Sequence, residues 1–167
     1  MKTLLSIISL LITTNCFAQL PVWFQETGKP ETKVVLQQTY TKDELVAKYG
    51  KLERYSSVYD DEVHYATVQR LEFKYVFIET IDNKVNQINI RGNHMELRME
   101  CWDMTIKIGD NISLYRNLPK DKAYRIGSYG NHLRIYVVIN GMRWDEHLVL
   151  YFGEDKKIRA IEWFVPI

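Results

Sequence analysis

The chain has 167 residues, with 22 Lys+Arg against 21 Asp+Glu, 46% hydrophobic residues and a heavy aromatic load of 11 Tyr, 6 Phe and 4 Trp. That length suits one domain with a real core. The balanced charge excludes a strong nonspecific attraction to nucleic acid or to anionic lipid.

In chain order, residues 1–18 read as a secretory signal. Lys2 gives a positive start, Leu4 to Ile12 give a short apolar run, and Cys16-Phe17-Ala18 puts small residues at the −3 and −1 positions before Gln19. The run is too short for a stable membrane anchor, so no transmembrane segment is expected. Thr13 and Asn15 stand where a lipoprotein signal has Leu and a small residue, which favours cleavage after Ala18 over a lipid anchor at Cys16. The mature chain is then 19–167, with 21 charges of each sign once Lys2 is removed. It is expected in the periplasm or outside the cell.

Residues 33–40 read as a strand, with Val34, Leu36 and Tyr40 apolar. Thr41-Lys-Asp-Glu44 is a capping box, and Gly50 sits where a helix ends, so the pattern predicts a helix over 42–49. Period-two patterning over 63–68, 71–80 and 85–90 predicts three strands, with Asp82-Asn83 turning between the last two. Residues 97–108 alternate as one strand. Asp110 opens a short helix with Ile112 and Tyr115 inward, and Pro119 stops it. Strands follow at 133–139, 147–152 and 158–165, with hairpin signals at Asn140-Gly141 and 153–157.

A shift of 73 residues carries Val85 onto Ile158 and Lys84 onto Lys157, while the predicted helices match at a shift of 67. These matches predict an α+β fold: two β-α-β-β-β repeats, about 33–90 and 97–165, sharing one curved antiparallel sheet with short helices on one face. Each repeat alone would have a thin core, so 19–167 is read as a single domain.

The segments Thr41 to Gly50 and Phe77 to Ile90 resemble the helix-to-glycine segment and final hairpin of the SmpA/OmlA (BamE-like) family. The doubled arrangement resembles the β-lactamase-inhibitor-protein-like fold. Leu52 stands near where that family commonly has Pro. The resemblance implies protein binding without catalysis.

The residues themselves carry little sign of chemistry. His64, His94, His132 and His147 form no helical ligand pair, so no metal is expected. A Cys–His nucleophile built from His94, Glu96 and Cys101 is disfavoured, because Cys101 lies among Leu97, Met99, Trp102 and Met104, where burial keeps a thiol inert. As the lone Cys of the mature chain it has no internal disulfide partner. No phosphate-cradling loop or nucleophile elbow is present, and no cofactor is expected. Asp60-Asp61-Glu62 and Asp145-Glu146 read as solvated charge.

The aromatic surplus points to another protein as partner. Tyr55, Tyr59, Tyr65, Tyr129, Tyr136, Trp144 and Tyr151 are candidate anchors, with Arg134 and Arg143 (and Arg54) beside them for charge complementarity. An aromatic on a strand is more often core or cross-strand packing than a partner anchor. The expected function is an exported protein-binding module of inhibitor, immunity or envelope-assembly type. Two other classes are readable here: a small hydrolase in which His64, His132 and His147 converge with acidic residues, or a small-molecule or lipid carrier with a cleft between sheet and helices.

Overall fold

The computed structural model describes residues 22–100, 103–116, 124–139 and 142–165; the side chains of 124–129, 137–139 and 142–144 fall outside that description. The signal segment, Cys101, Pro119 and the Asn140-Gly141 turn lie outside it too.

The expected α+β class is overturned. Among the described residues the chain is mostly β, with two separate antiparallel sheets and only two short helices. Two strands precede each helix and four follow it, in place of one and three. In chain order these are β1 (Val22–Glu26), β2 (Lys29–Val35), α1 (Lys42–Tyr49), β3 (Leu52–Asp60), β4 (Ala66–Phe73), β5 (Val76–Ile81) and β6 (Lys84–Ile90). Then come β7 (Met95–Met99), β8 (Met104–Lys107), α2 (Ser113–Arg116), β9 (Tyr124–Tyr129), β10 (His132–Ile139), β11 (Met142–Phe152) and β12 (Ile158–Phe164). The small sheet has the order β2-β1-β7-β8, and the large one β3-β4-β5-β6-β12-β11-β10-β9.

The missed strands have local causes. The single strand predicted over 97–108 is a hairpin, β7 and β8, broken at Asp103, which adopts a left-handed φ of 47°. The single strand predicted over 71–80 is also two strands. The β4–β5 turn holds no Gly or Pro, only Lys74-Tyr75, so the period-two pattern continues across it.

Both sheets have seams about which the chain is internally two-fold. In the small sheet Phe24 faces Leu97, Val22 faces Met99 and Glu26 faces Met95, so residues offset by 73 (24 to 97, 22 to 95) exchange across the β1–β7 seam. In the large sheet Asn89 faces Glu162 across the β6–β12 seam, again an offset of 73 (89 to 162). The strap before each helix follows the same rule. Gln37 N–H donates to Val85 O and Val85 N–H to Gln38 O; at the matching place Gly109 N–H donates to Ile158 O and Ile158 N–H to Asp110 O. Gln37 (φ 64°) and Gly109 (φ 95°) share the left-handed conformation that glycine tolerates best. The straps match at an offset of 72 (37 to 109) and the helix starts at 71 (42 to 113), instead of the expected 67.

One core joins the sheets. Val22, Phe24, Val34, Leu97 and Ile106 of the small sheet pack in one buried cluster with Leu71, Ile78, Ile88, Leu133, Leu150 and Ile161 of the large one. Helix α1 begins with the predicted capping box, closed by Thr41 and Glu44. It ends at Tyr49, whose ring stacks on Phe24 (centroids 5.8 Å apart) and tilts against Phe73 (5.5 Å), while its hydroxyl donates to Thr32 O at 2.8 Å. Tyr49 thus ties the helix to both sheets, and burial pushes its phenol up.

Candidate interaction surface

Strand β3 is an end strand of the large sheet, paired with β4 on one side only. Its residues from Glu53 to Tyr59 are all exposed, so neither of its faces is covered. The row of peptide groups on its outer edge has no strand partner among the described residues. Edges of this kind template pairing with another chain unless charge, proline or brevity blocks them. Here the strand is nine residues long, with no proline.

The apolar content of the surface gathers on this hairpin. Tyr55, Val58, Tyr59, Val63 and Tyr65 are between 44% and 71% exposed. Tyr75 and Leu114 complete the set of exposed large hydrophobics among the described residues. Register sorts the strand residues by face. Tyr55 lies opposite the core residue Leu71 and Tyr59 opposite Thr67, so both rings emerge on the core side, past the end of its cover. Val58 lies opposite Val68 on the other side, beside an open cleft also lined by Ser56, Asp60 and Arg70.

The hairpin is held in shape by polar contacts. The Tyr55 hydroxyl donates to Gln69 Oε1 at 3.2 Å, and the Lys42 ammonium from the first turn of α1 sits 4.6 Å from the ring centroid. Gln69 in turn donates to Asn83 at 2.6 Å. At the tip, Asp60 Oδ1 accepts from the amides of Val63 (2.9 Å) and Glu62 (3.1 Å), and Oδ2 lies 3.6 Å from His64 Nε2. Those amides, led by that of Val63, hold the Asp60 carboxyl below the usual carboxylate range, with His64 adding to the effect and burial opposing it. Tyr65 then takes a left-handed φ of 50°, unusual for an aromatic residue, and turns the chain into β4.

A second group of predicted anchors sits about five to six strand spacings away, roughly 24–29 Å across the sheet. On the face away from the core, Tyr136 lies 5.5 Å from the His147 ring, which lies 5.4 Å from Phe164. Arg134 Nη1 reaches the Tyr136 hydroxyl at 3.4 Å. The Tyr151 hydroxyl donates to Glu162 Oε2 and Gln87 to Glu162 Oε1, both at 2.8 Å, and the Tyr151 phenol is pushed up, first by burial and then by Glu162. These side chains are half-buried and fall into two contact groups, Arg134 with Tyr136, His147 and Phe164, and Tyr151 with Glu162 and Gln87. Tyr136 and Tyr151 make cross-strand contacts, with His147 and Glu162, while Arg134 reaches along its own strand to Tyr136. The side chains of Tyr129, Arg143 and Trp144 lie outside the described residues.

The nine predicted anchors therefore do not form one patch. The structure gathers Tyr55, Tyr59 and Tyr65 and separates them from the rest. Val58, Val63 and Asp60 belong with the first group and were missed as anchors. Their signal is a short run rich in Tyr and Val, Tyr55-Ser-Ser-Val-Tyr59, closed by the Asp60-Asp61 turn and without apolar alternation.

The histidines are dispersed. His64 is at the β3–β4 tip, and His94 packs edge-on against Tyr75 at 4.3 Å. His132 and His147 face Tyr151 and Tyr136, four residues apart along the strand pair, about 13 Å. Among the described residues no three His, Cys, Asp or Glu gather as a metal site. No helix among them is long and apolar enough to cross a membrane.

No family model and no curated protein matches the chain. A solved extracellular protein containing an SCP domain, from Bacillus anthracis str. Ames, is similar at 14% identity with a TM-score of 0.43. The match covers 77% of this chain and 44% of that one, so the chain spans less than half the length of that structure.

Proposed function

We propose that the protein is an exported, non-enzymatic protein-binding module that engages its partner through the β3–β4 hairpin. One observation carries this reading: five of the seven exposed large hydrophobics among the described residues lie within Tyr55–Tyr65, three on the edge strand β3 and two in the turn that follows it, and β3 has no strand on its outer side among those residues. Strand addition supplies affinity through main-chain hydrogen bonds, and flanking side chains supply specificity. Tyrosine suits the second role, since its ring adds area at low entropic cost. The export part of the proposal rests on the character of residues 1–18, and the binding part agrees with the activity that the SmpA/OmlA resemblance implies.

The test is affinity capture by the mature chain from its own envelope fraction, compared with a Tyr59→Ser/Val63→Ser/Tyr65→Ser variant of the same circular dichroism spectrum. Bound protein should be retained by the parent chain and lost from the variant. Equal retention by the folded variant would remove the hairpin from the function.

A further inference from the structure

We infer that the occupant of the β3 edge is a second copy of this chain, paired antiparallel about a two-fold axis through Ser57. The inference deepens the proposed function, since it names the partner of that same hairpin and depends on its edge being a docking site.

Strand β3 is complementary to a reversed copy of itself. When an edge strand meets its own copy about an axis normal to the sheet, each residue faces the one equally far from the axis on the other side. The outer face of one sheet then continues the outer face of the other. With the axis at Ser57, Arg54 of each copy faces Asp60 of the other, Tyr55 faces Tyr59, and Ser56 faces Val58. Two cation–carboxylate pairs and two aromatic pairs therefore form at once, in the opposite-charge and aromatic classes that stabilise strand pairs.

The groups needed are on the surface and in suitable state. Arg54 is largely exposed, and its only ion pair among the described residues is a loose one, 3.7 Å to Glu72. Asp60 Oδ1 accepts from two backbone amides, and Oδ2, which lies 3.6 Å from His64 Nε2, has a second lone pair for a cation from the other copy. Tyr55 and Tyr59 emerge on the same side of the strand, as an aromatic pair across the joint requires. Shifting the axis to Ser56 faces Arg54 with Val58 and Glu53 with Tyr59, and loses all four pairs. The charge and ring pattern thus selects one register. The one like-charge contact it brings, Glu53 with Asp61, lies at the frayed ends: a bulge follows Leu52, and Asp61 is beyond the strand. The product is a closed dimer with a continuous sixteen-stranded sheet, of isologous type.

The experiment is sedimentation equilibrium on the mature chain, on Arg54→Asp, on Asp60→Arg, and on an equimolar mixture of the two variants. The parent should sediment at twice the chain mass. Each variant alone sets like charges against each other at both symmetric sites and should dimerise roughly tenfold to a hundredfold more weakly. The mixture should regain the dimer, because a copy of one variant beside a copy of the other brings a carboxylate against a guanidinium at both sites. Should Asp60→Arg unfold the tip, Arg54→Asp with Asp60→Asn, which keeps the Oδ1 acceptor, provides the weakening arm. A parent chain that stays monomeric, a dimer indifferent to Arg54→Asp, or open-ended assembly would each overturn the inference. A monomer that still loses a different captured protein when the hairpin is mutated would overturn the second copy while leaving the proposed function intact.

Discussion

Tyr49 is the side chain through which helix α1 and the two sheets meet, so its removal tests whether they fold as one unit. Truncating a buried aromatic to Ala costs about 3–5 kcal/mol. The Tyr49 ring is only partly covered, so about 2–4 kcal/mol is expected for Tyr49→Ala. Tyr49→Phe keeps both ring contacts and loses the 2.8 Å bond to Thr32 O, for about 1 kcal/mol. The parallel stack on Phe24, with planes 7° apart, should appear as a coupling of about 0.5–1.5 kcal/mol in a Phe24→Ala/Tyr49→Ala cycle. The assay is urea unfolding followed by two fluorescence probes, Trp23 in the small sheet and Trp163 in the large one, each retained as the single Trp. Coincident midpoints, shifted together by Tyr49→Ala, are expected. A loss under about 1 kcal/mol, or two separate midpoints, would refute the role given to Tyr49 as the joint between sheets.

Three further outcomes follow from individual contacts. Thr41→Ala opens the capping box and should lower stability by about 1 kcal/mol in the same urea assay. Gly92→Ala would place a methyl 2.7 Å from Tyr75 Cβ, too close for either to yield cheaply; a cost of about 1–3 kcal/mol and a shift of the His94 ring resonances, as its 4.3 Å contact with Tyr75 opens, are expected. The Asp60 carboxyl is depressed in the folded state, so its stabilisation of the hairpin tip is present above the ordinary carboxylate range and lost as pH falls through its lowered value. Amide exchange at Glu62 and Val63, corrected for intrinsic rate, should accelerate over that acid range, while Asp60→Asn abolishes the dependence.

Local signals in the sequence were sufficient wherever a segment's chemistry was self-contained. The α1 boundaries, 42–49, follow from Thr41 and Glu44, which close the capping box, and from Gly50, which ends the helix at a positive φ of 79° though not in the left-handed helical cap conformation. The β5–β6 and β11–β12 hairpins were readable because Asp82-Asn83 and the 153–157 segment punctuate them. What was not legible was the partition of strands into two sheets. Residues 22–35 form a hairpin whose partner, β7, lies some seventy residues away, and no local pattern announces that seam. Period two also fails on β3, because a strand with both faces in water has no apolar alternation to display. The binding surface was hardest for the same reason. Tyr55 and Tyr136 are equivalent as composition, and only their cover differs: one ring lies at an open edge, the other against His147 and Arg134.

The two-fold geometry explains why exposed edges fall where they do. Each half of the chain supplies four strands to the large sheet, and any such half-sheet has two edges to satisfy. Joining β6 to β12 removes one edge from each half, and joining β1 to β7 does the same in the small sheet. The edges that remain on the large sheet are β3 and β9, as far apart as the sheet allows. An internal two-fold cannot bring these edges together, so each must be blunted by its own chemistry or used. In β3 the blunting is slight: a bulge after Leu52, and charges whose signs, positive at Arg54 and negative at Asp60, are placed to attract a reversed copy of the same strand. A charge pattern meant only to repel would carry one sign throughout. The opposed signs on β3 favour use over protection, and an Arg54→Glu variant that associates more strongly than the parent chain would contradict that assignment.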